Sequence, residues 1–234
     1  MSLIFNRISN NTAYSLLFLF AASIIFFIGL GNLHLFDWDE INFAESAREM
    51  IASNNYLRVQ INYNPFWEKP PFFFWLQVVS MKIFGINEFA ARFPNAVFGY
   101  VYLVSFYLIC KKHFNRKLGL IWGIVFAGSL LPHLYFKSGI IDPVFNYFIF
   151  MSIYFFARLF TGEGNLKKYA LVSGIFSGLS VVTKGPVGFL LFALTLLTYI
   201  GIKRFKIFPS FRDILFFIFG ISIIIGVWLA IEFN

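Results

Sequence analysis

Between Phe36 and Pro71 the chain gathers six of its eleven carboxylates: Asp37, Asp39, Glu40, Glu45, Glu49 and Glu68. Arg48, Arg58 and Lys69 lie among them, and the stretch closes on Pro70 and Pro71. A carboxylate held in a partly dry cleft can take a proton from an attacking hydroxyl. The adjacent acids Asp39 and Glu40 suit that role. They suit equally the start of a helix, where acids are favoured by the helix dipole. A second acid-base pair, Glu68-Lys69 ahead of Pro70-Pro71, tilts the balance toward a site.

Cations supply the complementary chemistry, because a lysine or arginine can neutralise charge that develops on a departing phosphate. Lys69, Arg92, Lys137 and Lys184 fall on one side of the membrane in the topology derived below. Any one of them reads equally well as a lysine or arginine reaching for lipid headgroups; together they suggest an anion. Lys69 precedes a proline, which restricts it toward extended backbone and so aims it. Asp142 stands at the entrance of an apolar run, directly before Pro143. A carboxylate at hydrocarbon depth is a site candidate, and the same pair is also a helix-start signature. His34 and His133 could join Glu68 or Asp37 on a divalent metal, but no spacing matches a metal motif and they read better as interfacial polar residues.

What positions these groups is hydrocarbon. The 234 residues are 59% hydrophobic and 22% aromatic, with 35 phenylalanines. Only 13% are charged, about half the proportion of a soluble domain. Apolar runs long enough to cross a bilayer occupy 13–30, 93–110, 118–136, 140–157, 185–202 and 214–231, and the shorter run 169–183, separated from the next by Lys184 alone, reads as one more span joined to it by a tight turn. The expected fold is therefore all-α and polytopic, with about seven transmembrane helices in one domain over residues 1–234. The first apolar run lacks a cleavage-site pattern and reads as a retained anchor. The single cysteine, Cys110, excludes a disulfide framework and a thiolate metal site.

The N-terminus and the loops on its side hold Arg7, Lys111, Lys112, Arg116, Lys117, Arg158, Lys167, Lys168, Lys203, Arg204, Lys206 and Arg212, against Glu163 and Asp213. The opposite side holds seven basic residues and nine acidic ones. The positive-inside rule then places the N-terminus in the cytoplasm and the first long loop, about residues 31–89, outside. The net charge of +8 is thereby topological and calls for no nucleic acid. Within that loop, Glu40–Ser53 reads as an amphipathic interfacial helix, with Phe43, Ala47, Met50 and Ile51 on one side and Glu45, Arg48 and Glu49 on the other. Residues 71–81 are apolar but too short to span, so a second interfacial helix ends near Gly85, with Pro70 and Pro71 in its first turn.

The runs DE-x-x-F-A-E-x-x-R-E-M-I-A-S-x-x-Y, F-x-E-K-P-P-x-x-x-W-L and F-G-I-N-E-F-A-A-R-F-P, followed by K-x-G-x-I-D-P and T-K-G-P-x-G, resemble the dolichyl-phosphate-mannose protein mannosyltransferase and bacterial aminoarabinose transferase family. These are membrane glycosyltransferases of the GT-C fold, and the resemblance runs from Asp39 to about Gly188. It implies that Asp39 is the catalytic acid of the first loop with Glu40 beside it, and that Asp142 is the second acid. It further implies a donor-site pair at Glu68 and Lys69, with Lys69 on the lipid phosphate and Arg92, Lys137 and Lys184 lining the phosphate-binding side. Family members are usually longer, so the chain is expected to be an N-terminal portion without the part that selects the acceptor.

The reading is an integral-membrane glycosyltransferase of the bacterial inner membrane. It takes a sugar from a polyprenyl phosphate and passes it, outside the cytoplasm, to a protein, lipid A or glycan. No cofactor is required by this scheme, and a divalent metal stays open. The alternatives are a transporter or flippase of a lipid-linked or anionic solute, or a noncatalytic paralogue. Transporters carry their charges near mid-span, whereas these acids sit in a loop.

Overall fold

The computed structural model describes residues 11–36, 38–204 and 207–232. Arg7, Asp37 and Lys206 lie outside the described residues. The chain divides into two compact units, residues 1–48 with 76–143, and residues 49–75 with 144–234.

In the first unit, α1 (Thr12–Ser23) passes into a 3-10 turn at Ile24–Phe26. Asn11 caps it, accepting from the Ala13 amide. α2 (Asp39–Ala52) begins here, as does the later part of α3 (Phe72–Phe84). α4 (Glu88–His113) is the longest helix of the unit, started by the Asn87 side chain accepting from the Ala90 amide. α5 (Arg116–Ala127) and α6 (Leu130–Phe136) follow. The run 118–136, expected as one span, is bent by 68° between these two helices. Close packing explains the small residues. A methyl at Gly99 would meet the Phe26 and Phe136 rings, and one at Gly123 would meet Leu19. Phe26, Tyr102, Phe126 and Phe136 form an aromatic core, edge-on and tilted except where Tyr102 stacks on Phe126.

In the second unit a two-stranded antiparallel hairpin, β1 (Gln60–Ile61) and β2 (Asn64–Pro65), follows α2. Its turn residues Asn62 and Tyr63 both have positive φ, 54° and 58°, as a type I′ turn requires. α7 (Asp142–Ala157), α8 (Leu166–Lys184), α9 (Val187–Ile202) and α10 (Phe211–Glu232) complete the chain. Phe156, Ala170, Phe192 and Phe217, with Leu159 from the 3-10 turn Arg158–Thr161, are their shared core. Helices α8 and α10 approach most closely: a methyl at Gly174 would collide with the Phe217 carbonyl, and one at Gly220 with the Leu171 carbonyl. Small residues at such a contact let backbones touch, which is how helices associate where no hydrophobic gradient separates core from surroundings.

Each expected apolar run coincides with a helix or a helix pair. Among the described residues, three helices are long and apolar enough to cross a membrane, or four if the bent pair is one span; 12–26, 72–84 and 187–202 are shorter apolar helices. Both helices expected in the first loop form. The second starts at Phe72, so Pro71 precedes it and caps it by accepting from the Trp75 amide at 3.0 Å. Pro71 and Pro70 therefore stand one and two residues ahead of the first turn rather than inside it. The expected faces of α2 need one correction: Phe43, Ala47 and Met50 are buried, but so are Glu40 and Glu49.

Candidate active site

Glu40 follows Asp39 in the first turn of α2 and is 1% exposed. Arg92, one turn into α4, is 2% exposed. Arg92 Nε donates to Glu40 Oε1 at 2.8 Å and Nη2 to Oε2 at 2.9 Å, a two-pronged contact. The remaining guanidinium hydrogens go to the carbonyls of Leu30 and Leu33 at 2.7 Å and His34 at 2.9 Å. All five donors of the side chain are thus engaged. The Glu40 carboxylate is equally full, because Oε2 also accepts from the Phe36 amide at 2.6 Å and Oε1 from the Gly139 amide. Neither group has capacity left for a phosphate or for a proton from substrate.

The pair instead anchors the segments that carry the other acids of the first unit. Through Gly139, Glu40 holds the 137–142 segment, which Asn95 grips as well by donating to the carbonyls of Ser138 and Ile140. A methyl on Gly139 would press on Glu40 Cγ at 3.3 Å and on the Ala91 carbonyl at 3.2 Å, so a larger residue here would have to push its neighbours aside. Asp142 is the first residue of α7 and half-buried; Lys137 ends α6 and is half-buried. Asp39 is exposed at the start of α2. Ahead of it Trp38 adopts φ 70°, an uncommon conformation for a bulky residue, which turns the chain sharply into the helix. His34 Nδ1 lies 3.4 Å from Glu88.

Glu68 and Lys69 come together in the second unit, in a pocket of about 220 Å³. Its walls are Phe66, Trp67, Pro70, Pro71 and Trp228, with Gly185 and Pro186 from the T-K-G-P turn. Gly185 makes that turn with φ 85°. Arg58 lines the same pocket. Among the described residues, none of the side chains of Arg58, Glu68 and Lys69 has a hydrogen bond or ion pair. Lys184, next to Gly185, is half-buried, with its ammonium 5.5 Å over the Phe145 ring. Two cations and a carboxylate stand together without protein partners, Arg58 and Glu68 exposed and Lys69 half-buried, a set that is chemically able to receive a small polar anion. Sequence reasoning passed over Arg58. The signal available was thin: an arginine opening R-V-Q-I-N-Y-N-P, where Asn-Tyr replaces the usual Asn-Gly of a tight hairpin.

Among the described residues, no three His, Cys, Asp or Glu side chains cluster as metal ligands.

The architecture is shared with solved proteins. ArnT from Cupriavidus metallidurans bound to undecaprenyl phosphate superposes with a TM-score of 0.82 at 23% identity, over 95% of this chain and 42% of that one. An uncharacterized protein of Aquifex aeolicus (strain VF5) is 30% identical over 82% of this chain and 38% of its own length. The undecaprenyl phosphate-alpha-4-amino-4-deoxy-L-arabinose arabinosyl transferase of Wigglesworthia glossinidia brevipalpis is 26% identical over 86% of this chain and 36% of its own. The chain thus spans well under half the length of these relatives. Residues 68–230 match the profile of one family, and with that match covering most of the chain, this integral membrane protein belongs to the dolichyl-phosphate-mannose-protein mannosyltransferase family.

Proposed function

We propose that the chain is the catalytic membrane domain of a glycosyltransferase that takes its sugar from a polyprenyl phosphate, with its active-site residues in the loop 31–89 and in the segments that loop meets. The observation that carries the reading is the pocket holding Glu68 and Lys69 without partners. An unpaired ammonium in a partly apolar recess is costly unless an anion completes it, and a lipid phosphate at the membrane surface is such an anion. The relatives named as undecaprenyl phosphate arabinosyl transferases favour undecaprenyl phosphate as the lipid and aminoarabinose as the first sugar to try; lipid A, one of the acceptors that the sequence resemblance implies, is the first acceptor to try.

On this reading Lys69 holds the phosphate and Glu68 accepts from the headgroup. Asp39, exposed at a helix start, takes the acceptor proton or orients the acceptor, and Asp142 is the second acid. Lys137 and Lys184 contribute positive potential. Glu40 and Arg92 act by holding the segments of the first unit in place. The membrane is the bacterial inner membrane, with the N-terminus cytoplasmic and the 31–89 loop outside, as the basic-residue asymmetry favours.

The test uses the full chain in nanodiscs with a polyprenyl-phosphate sugar and lipid A. Measurable transfer that disappears in Asp39→Asn and Lys69→Ala, with both variants folded, supports the reading. Binding of the free lipid phosphate that is indifferent to Lys69→Ala overturns it.

A further inference from the structure

The pocket beside Lys69 holds a second cation, and the chemistry of the departing group gives it a purpose. A polyprenyl-phosphate sugar is a phosphodiester and carries one negative charge. When the bond between the anomeric carbon and the phosphate oxygen breaks, its electron pair stays on that oxygen. The acceptor hydroxyl oxygen forms the new bond to the anomeric carbon and releases its proton to a base. The lipid leaves as a phosphate monoester, whose charge at neutral pH approaches two. A site that stabilises this reaction must bind the second charge better than the first.

We propose that Arg58 is the group that meets this developing charge, a second phosphate ligand alongside Lys69. The inference rests on the reading of this pocket as the donor-phosphate site. Three observations carry it. Arg58 lines the pocket together with Lys69 and Glu68, and its side chain has no partner among the described residues. With Lys69 and Glu68 alone the pocket is formally neutral, and Arg58 adds the second positive group that a doubly charged monoester calls for.

Finally, the backbone around Arg58 is tied down on every side while its side chain is left open. Asn55 Oδ1 accepts from the amides of Leu57 at 3.2 Å and Arg58 at 3.4 Å. The Tyr56 carbonyl accepts from Trp75 Nε1 at 2.7 Å, and the Val59 carbonyl from the Phe66 amide at 2.8 Å. The buried Glu49 carboxylate closes the hairpin by accepting from the Tyr63 amide at 2.8 Å. A guanidinium on such a support presents a planar fork that matches two oxygens of a phosphate monoester. Arg92, assigned to the phosphate from resemblance, has all five donors committed elsewhere.

The experiment compares two probes, a long-chain polyprenyl phosphate and its methyl ester, binding to the full chain in nanodiscs. The first mimics the departing monoester and the second the charge of the donor. Wild type is expected to prefer the monoester. In Arg58→Ala, monoester affinity falls by about ten- to a hundredfold, the range of a lost charge-assisted hydrogen bond, while ester affinity changes little and the preference disappears. Arg58→Lys keeps part of the preference. Lys69→Ala weakens both probes. A merely structural Arg58 would weaken both probes together, and an unchanged preference in Arg58→Ala would likewise overturn the proposal. Failure of the underlying reading looks different: wild type and Lys69→Ala would then bind both probes alike.

Discussion

Arg92 and Glu40, 52 residues apart in the chain, meet in a doubly hydrogen-bonded ion pair that is almost fully buried. Every donor and acceptor of the two groups is used inside the protein. Removing one partner of such a pair strands a buried charge, which typically costs about 3–5 kcal/mol. Arg92→Ala and Glu40→Ala are therefore expected to lower the unfolding temperature of the purified protein sharply. Arg92→Lys should fail nearly as badly, because three donors on a point charge cannot replace a five-donor fork. An Arg92→Ala protein of wild-type thermal stability that has lost only donor binding would return Arg92 to the substrate.

Lys69 and Lys82 make a matched pair for testing the donor site. Lys69 lines the pocket, whereas Lys82 is exposed near the end of α3. Donor affinity in Lys69→Ala is expected to drop about ten- to a hundredfold, as for other charged hydrogen bonds; Lys82→Ala should bind like wild type. Equal behaviour of the two would make the loop lysines generic interface anchors.

Asp39→Asn removes a charge from an exposed helix start and leaves the fold alone. Single-turnover transfer should slow by about 10²–10⁴-fold, the usual contribution of a positioned general base, with thermal stability within about 1 kcal/mol of wild type since only a dipole interaction is lost. If the rate were unchanged, Asp39 would be a helix-start residue only.

The α8–α10 contact depends on glycine at 174 and 220. Gly174→Val and Gly220→Val should each loosen or displace α10, with a loss of about 1–3 kcal/mol or more expected for overpacking a tight contact. Limited proteolysis between α9 and α10 reports the result. Gly201→Ala is the control, because a methyl there meets nothing; equal protease sensitivity of all three would disprove the close packing.

Orientation can be read with a membrane-impermeant thiol reagent in a Cys110→Ala background. Cysteine at Ala52, in the loop expected outside, should label in intact cells, and cysteine at the exposed Phe114 should not. The reverse pattern would invert the topology.

Sequence alone determined whatever depends on local pattern. Uncharged apolar runs marked the helices because a helix in lipid must satisfy its backbone internally and face hydrocarbon. The acid-rich stretch and the lysine before Pro70 were visible as residue types at short spacing, and so were α2 and α3. Tertiary structure decided which of those charges are available. Glu40 and Glu49 are nine residues apart, so about 100° per residue puts them on opposite sides of α2; an amphipathic reading assumes one dry face and cannot foresee acids buried on both. Glu40 found Arg92 and Gly139, and Glu49 found the hairpin turn at Tyr63. The bend between α5 and α6 was equally hidden, since hydropathy continues through it. Arg58 and Lys69, eleven positions apart, line one pocket only because the 59–66 hairpin folds back on itself. Pairing at long range is chosen by packing, and the pattern of near neighbours along the chain does not contain it.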